Sequence, residues 1–245
     1  DAGYDIIDGG LGADTINGGA DADTIMGAEG NDIIDGGLGA DTIDGGADAD
    51  VIYGSEGSDT LMGGGGDDTF TGATGDDVIE GSSGSDTAIF AGNKGDFTFA
   101  VAANGTLTVT DTNTGTALGV DTVSGVETLK FNDGDLTVTT TAGGEVTLTG
   151  TDVEDDVITL TATGSEGATL EGGAGADTLV GGPGGDHFDG GDDTDLADYS
   201  HITTDISVDL ATGTASGSDI GSDTLVNVEN VDAGSGDDTL TGDSG

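Results

Sequence analysis

The chain has 245 residues and sets 50 acidic against 2 basic side chains, a formal charge of −48 at pH 7. That balance excludes nucleic acid and anionic membrane surfaces as partners, because phosphate is bound through Lys and Arg. With 51 glycines, 1 proline, 4% aromatic residues and no cysteine, neither an ordinary apolar core nor disulfides can hold most of the chain together.

In chain order, a partial copy "DAGYDIID" is followed from Gly9 by nonamers without a gap, from GGLGADTIN and GGADADTIM to GSSGSDTAI. Position six is always aspartate: Asp14, Asp23, Asp32, Asp41, Asp50, Asp59, Asp68, Asp77 and Asp86, with Asp5 in the partial copy. Position eight is large and apolar until Ala88 ends the run. Residues 9–35 and 36–62 are near copies, a duplication of three nonamers. Each nonamer reads as six turn residues and a three-residue strand, the turn glycines admitting left-handed backbone. Two nonamers make one coil, so residue i lies over i+18 at about 4.8 Å. Ile16, Ile34, Ile52 and Phe70 then stack as one core column, and Ile25, Ile43, Leu61 and Ile79 as the other.

Residues 1–89 are thus a first repeat block. Residues 90–149 read as a small antiparallel β unit, in which "DFTFAVAANGTLTVTDT" alternates around Asn104-Gly105, a type I′ hairpin signal. Residues 150–198 form a second block, degenerate at first ("GTDVEDDVITL") and then clear, with Asp177, Asp186 and Asp195 at position six. Residues 199–232 hold a hairpin-like "ISVDLATGTAS" and the strand-like "DTLVNVENV"; residues 233–245 begin a further repeat with Asp238. The sequence opens and closes inside a repeat, which reads as a piece of a longer protein. It has no recognisable signal peptide and no apolar run of membrane-spanning length.

Stacked carboxylates repel, so such a fold requires a cation between coils. Calcium fits: it takes six to eight oxygen ligands, carboxylates and backbone carbonyls among them, in flexible geometry. Magnesium demands a strict octahedron, and zinc wants His or Cys, which the turns lack. Pairing i with i+18 gives eight candidate sites: 5/23, 14/32, 23/41, 32/50, 41/59, 50/68, 59/77 and 68/86. Carbonyls of the turn glycines complete them, at Gly10, Gly12, Gly19, Gly30, Gly37, Gly39, Gly46, Gly57, Gly64, Gly66, Gly75 and Gly84.

The nonamer resembles the glycine-rich repeat-in-toxin (RTX) motif G-G-x-G-x-D-x-U-x, a calcium-binding β-helix repeat. "DTAIFAGNKGDFTF" with "GVDTVSGVETLKFNDG" is similar to the β segment after the repeats in serralysin-type exoproteins. The segment from "ADYSHITTDISVDL" to "GSGDDTLTG" is similar to other RTX exoproteins. The resemblance implies an all-β parallel β-roll with several Ca2+ ions in its turns, disordered without them. It also implies export from a Gram-negative bacterium by type I secretion, to the cell surface or beyond. The position-six aspartates and turn carbonyls are the ligands that it implies.

Position four is Asp rather than Gly at Asp21, Asp48 and Asp193, a residue that tolerates left-handed backbone. Ala28, Ser55, Ala73 and Ser82 replace Gly at position two and stiffen the turn. The degenerate nonamer lacks the turn glycines for a site at Asp155 or Asp156, and Asp152, Glu154 and Asp156 imitate an EF-hand start without its glycine. His187 and His201, the only histidines, sit in no zinc or nucleophile motif, and His187 falls at an outward strand position. The Thr24, Thr42, Thr60 rank, broken by Val78, is explained by β propensity. The sequence therefore reads as a non-catalytic calcium-binding module of a secreted or cell-surface protein, serving structure or assembly as in a surface layer, filament or adhesin. Its partners are calcium ions, further copies of itself or neighbouring domains. The alternative is the calcium-dependent C-terminal tail of an exported protease or lipase.

Overall fold

The computed structural model describes residues 2–102, 104, 106–113, 118–140, 146–151, 155–160 and 167–243. It is all-β apart from one 3-10 turn, Lys94–Asp96. Contacts divide the chain into two units, Asp1–Gly92 with Leu107–Asn132 and Asn93–Thr106 with Asp133–Gly245.

In the first unit each nonamer forms one strand: β1 (Ile6–Leu11), β2 (Thr15–Ala20), β3 (Thr24–Glu29), β4 (Ile33–Leu38), β5 (Thr42–Ala47), β6 (Val51–Glu56), β7 (Thr60–Gly65), β8 (Thr69–Thr74), β9 (Val78–Ser83) and β10 (Thr87–Ile89). Odd strands make one parallel sheet and even strands another, with partners eighteen residues apart, as in Ile25↔Ile43 and Ile34↔Ile52. This is the parallel β-roll expected from the period. Successive side chains alternate in and out, so Ile16 and Gly18 face inward while Thr15 and Asn17 face water. Ile25, Ile34, Ile43, Ile52, Leu61 and Phe70 are fully buried.

The strands are twice as long as expected, six residues rather than three. The ladder continues past position one into positions two and three, as in Gly19↔Gly37 and Ala20↔Leu38. Those residues still pair with the next coil, because a left-handed residue bends the chain without ending its parallel hydrogen bonding. In the nine nonamers from Gly9 positions two and four are left-handed at every copy, whatever residue they hold. Ala28, Ser55, Ala73 and Ser82 adopt φ of 76–82°, and Asp21, Asp48 and Asp193 adopt 74–79°.

Two strands beyond the repeats prolong this unit. Val120–Ser124 pairs in parallel with β9 and Thr128–Phe131 with β10, while Leu107–Asp111 runs antiparallel to Val120–Ser124. The expected Asn104-Gly105 turn lies outside the described residues at Gly105.

The second unit repeats the plan. Val146–Gly150, Thr169–Ala174, His187–Asp192 and Gly221–Val226 form one parallel ladder. Val157–Thr159, Thr178–Val180, Leu196–Asp198 and Asn230–Asp232 form the other. Gly134–Thr140 is antiparallel to Val146–Gly150, and the "ISVDLATGTAS" hairpin is present as Ile206–Asp209 against Thr214–Gly217. Leu170, Leu179, Phe188, Ala197 and Tyr199 form its core. No helix among the described residues is long and apolar enough to cross a membrane.

Candidate metal centre

The position-six side chains point inward at the roll's edges, just before each strand begins. Their two oxygens have different fates. Oδ1 accepts a hydrogen bond from the backbone N–H of the aspartate one coil earlier: Asp23 from Asp5, Asp32 from Asp14, and so on to Asp86 from Asp68, all at 2.7–2.8 Å. Each carboxylate thus staples its coil to the one before, a role the spacing did not reveal. The Oδ2 atoms of Asp14, Asp23, Asp32, Asp41, Asp50, Asp59, Asp68, Asp77 and Asp86 are buried and accept no hydrogen bond. The residues from Asp23 to Asp86 are at most 2% exposed. Asp5, in the first coil, is half-buried.

The glycine at position one explains where Oδ2 goes. A Cβ on Gly18 would lie 2.6 Å from Asp23 Oδ2 and 2.7 Å from the Gly36 carbonyl oxygen of the next coil. On Gly9 it would lie 3.0 Å from Asp14 Oδ2 and 2.9 Å from the Gly27 carbonyl. A side chain here would push carboxylate and carbonyl apart, so glycine is required for space. Gly occupies position one in all nine copies, yet the spacing alone points only to the glycines of positions two and four. The glycines of positions two and four stack against carbonyls of the preceding coil. A Cβ on Gly39 would lie 2.5 Å from the Asp21 carbonyl oxygen, so position-four carbonyls line up along the edge.

This is an electron-rich arrangement. A buried carboxylate oxygen without a donor is costly, more so when charged. Burial accordingly pushes the carboxyls of Asp50 and Asp59 up to about 6, with the neighbouring aspartates adding to the rise and the backbone hydrogen bond opposing it. Asp41, Asp68, Asp77 and Asp86 are raised for the same first reason. Buried Oδ2 atoms, close carbonyls and an all-oxygen donor set suit a hard cation of calcium's kind. No trio of acidic or histidine side chains able to hold a metal occurs among the described residues.

The second block repeats the geometry. Asp177 Oδ1 accepts from the Asp156 N–H and Asp195 Oδ1 from the Asp177 N–H, both at 2.8 Å, and Asp186 Oδ1 accepts from the Ala168 N–H at 2.9 Å. Asp177, Asp186 and Asp195 each keep a buried Oδ2 with no hydrogen bond, and burial raises all three carboxyls. Asp156 is different: its carboxylate forms a buried ion pair with the ammonium of Lys94. Asp238 is half-buried and accepts from the Ile206 N–H at 2.9 Å. Asp152 and Glu154 lie outside the described residues. Asp21 Oδ2 accepts from the Gly3 N–H at 2.9 Å, so this position-four aspartate joins two turns. His187 is half-buried rather than fully solvated, with Nδ1 against the Thr224 hydroxyl.

Carboxylates outside the repeats extend the columns. Asp121 and Glu127 accept from the N–H groups of Asp77 and Asp86, both at 2.9 Å. Asp223 and Glu229 accept from those of Asp186 and Asp195, at 2.8 and 3.0 Å. Burial lifts Asp121 and Asp223 to about 7. Asp223 Oδ2 also accepts from the Tyr199 hydroxyl at 3.0 Å, and burial together with that carboxylate raises the tyrosine.

Fold and site together define a parallel β-roll whose edges carry columns of inward carboxylates. The family model of the RTX calcium-binding nonapeptide repeat (4 copies) matches residues 1–25, 17–52, 26–61, 53–88, 163–197 and 228–245, more than half of the chain. The chain belongs to this calcium-binding repeat family. No curated protein matches it. Among solved structures it is similar to the extracellular lipase LipA from Serratia marcescens, with 16% identity and a TM-score of 0.24, over 89% of this chain. The chain spans 36% of that lipase.

Proposed function

We propose that this chain is a non-catalytic module that folds on binding several calcium ions, and that it serves as a structural or assembly element of a secreted or cell-surface bacterial protein. The observation that carries the reading is the run of nine buried Oδ2 atoms, Asp14 to Asp86, none with a hydrogen-bond donor. Calcium, when bound, supplies the positive charge and further oxygen coordination that such carboxylates need. The chain's own residues do the rest. Oδ1 fixes each side chain to the neighbouring coil, position-one glycine lets Oδ2 approach a carbonyl, and the apolar column of position eight closes the interior. In low calcium the carboxylates repel along each column and the coils separate. Export unfolded, followed by folding in calcium-rich surroundings, fits a chain with so little apolar material to hold a compact state by itself.

Chelation tests this. With excess EGTA the far-ultraviolet β signal should be lost, and calcium should restore it cooperatively. A β-roll spectrum unchanged by EGTA would overturn the proposal. Calcium-dependent sheets or filaments formed by the isolated chain would support the assembly role, and a strictly monomeric calcium form would count against it.

A further inference from the structure

The glycine that makes room for each carboxylate also opens the chain to a reaction. Position one is glycine in every nonamer from Gly9, so each position-nine residue from Asn17 to Glu80 is followed by glycine. Asn17 alone among them is asparagine; Asp35 and Asp44 are aspartate. Asparagine is a thermolabile residue, and an Asn-Gly bond reacts soonest, because glycine sets no side chain in the way of its own nitrogen. The Gly18 nitrogen attacks Asn17 Cγ and closes a five-membered imide, while Nδ2 departs as ammonia with the Gly18 amide proton. Water then adds to one of the two imide carbonyls. Opening at the main-chain carbon leaves an isoaspartyl link, the main product, and opening at Cγ leaves ordinary aspartate.

The folded coil forbids that ring. β2 carries Asn17 opposite Asp35 and Gly19 opposite Gly37 of β4 in one parallel ladder. Extended backbone of this kind, with ψ of about +115°, turns the Gly18 nitrogen away from the Asn17 side chain, whereas ring closure needs it beside Cγ. Gly18 is buried, and the exposed Asn17 amide is held by donating to Asp35 Oδ2 at 2.8 Å. The coil also has no space for the main product. An isoaspartyl link lengthens the main chain by one carbon immediately before Gly18, where a Cβ would already lie 2.6 Å from Asp23 Oδ2 and 2.7 Å from the Gly36 carbonyl. The extra carbon drives Gly18 against the Asp23 carboxylate and breaks the register of β2 on β4. The aspartyl product leaves the main chain as it was, and Asp44 stands at the corresponding place of the second copy.

We propose that Asn17-Gly18 is a calcium-controlled modification site, inert while its coil is formed and converted to isoaspartate once calcium is withdrawn. A chain left without calcium then progressively loses the capacity to rebuild its first coils. The inference rests on the calcium-dependent folding proposed above. It makes bound calcium a chemical protector of the backbone and gives the calcium-free chain a limited lifetime.

The test uses the full chain and Asn17→Gln, which keeps an amide donor but would have to close a slower six-membered ring. Both are held at pH 8 for several days in calcium or in EGTA, with circular dichroism reporting the folded state. Peptide mapping by mass spectrometry locates the deamidated residue and separates Asn17 from Asn104-Gly105, the other Asn-Gly bond of the sequence. An isoaspartate methyltransferase counts the isoaspartyl links. Conversion at Asn17 should run about tenfold or more faster in EGTA, because calcium-loaded chains react only through rare opening of the coil. The β signal regained on returning calcium should fall in step with isoaspartate in the wild type and hold in Asn17→Gln. Equal rates in the two states, or an intact Asn17 in a chain that EGTA has unfolded, would overturn the proposal while leaving calcium-dependent folding in place. Full recovery of the β signal by chains carrying isoaspartate at residue 17 would overturn it as well. A β signal that survives EGTA would instead overturn the reading beneath it. Should Asn17→Gln fail to fold, the two wild-type rates still decide.

Discussion

Asp50 shows how much one side chain carries. Its Oδ1 holds the Asp32 N–H at 2.8 Å, and its Oδ2 faces Gly45 and the Gly63 carbonyl. These two functions separate by substitution. Asp50→Asn keeps an acceptor for Asp32 and places an amide donor where the bare oxygen stood. Calcium-free β content should therefore rise, while the calcium titration loses steepness because two of the proposed sites share the residue. Asp50→Ala abandons the Asp32 N–H, at a cost of about 1–3 kcal/mol, and should lower β content at every calcium concentration. Parallel titrations followed by circular dichroism check this. An asparagine variant indistinguishable from alanine would show that the staple, not the charge, governs the response. At this scale the aspartates were legible because they recur at one position. The position-one glycines were equally regular, but their role depends on a contact made eighteen residues away.

Among the elements, the degenerate nonamer around Asp156 is the informative one. It lacks the turn glycines, yet its backbone N–H joins the column by bonding Asp177. Its carboxylate is neutralised by Lys94, which is 1% exposed and belongs to the only 3-10 turn among the described residues. Removing one partner of a buried pair strands the other charge, typically at about 3–5 kcal/mol. Lys94→Met should destabilise the calcium-loaded protein by that order in urea unfolding, whereas Lys94→Met with Asp156→Leu should recover much of the loss. Failure of the double variant to recover would show that Lys94 matters through other contacts. The strand lengths belong to this scale too. Composition marked six residues of each nonamer as turn, but half of those still pair, because a left-handed residue bends a parallel ladder without breaking it.

At the scale of the whole molecule the sign of the pH effect follows from the column carboxyls that burial raises. An aspartate moved from its ordinary value of 3.8 up to about 6, as at Asp50 and Asp59, holds a proton in the folded state that the unfolded chain has lost. Asp121 and Asp223 extend the window to about 7. Without calcium, stability therefore falls as pH rises through this window and increases on acidification. With calcium present protons compete for the same oxygens, so the calcium midpoint should rise as pH falls. Circular dichroism of calcium-free protein at pH 5 and pH 8, with calcium titrations at both, measures the two slopes. Greater calcium-free β content at pH 8 than at pH 5 would contradict them.

The sequence by itself determined the coil, the two apolar columns, the carboxylate columns and the calcium chemistry. A strict nine-residue period converts distance along the chain into distance in space, so each neighbour could be counted. Only the tertiary structure decided what ends the columns: Glu127 against Asp86 across 41 residues, Glu229 against Asp195 across 34, and Lys94 against Asp156. Those partners meet where the period breaks, and without a period the chain carries no local record of which coil it will close.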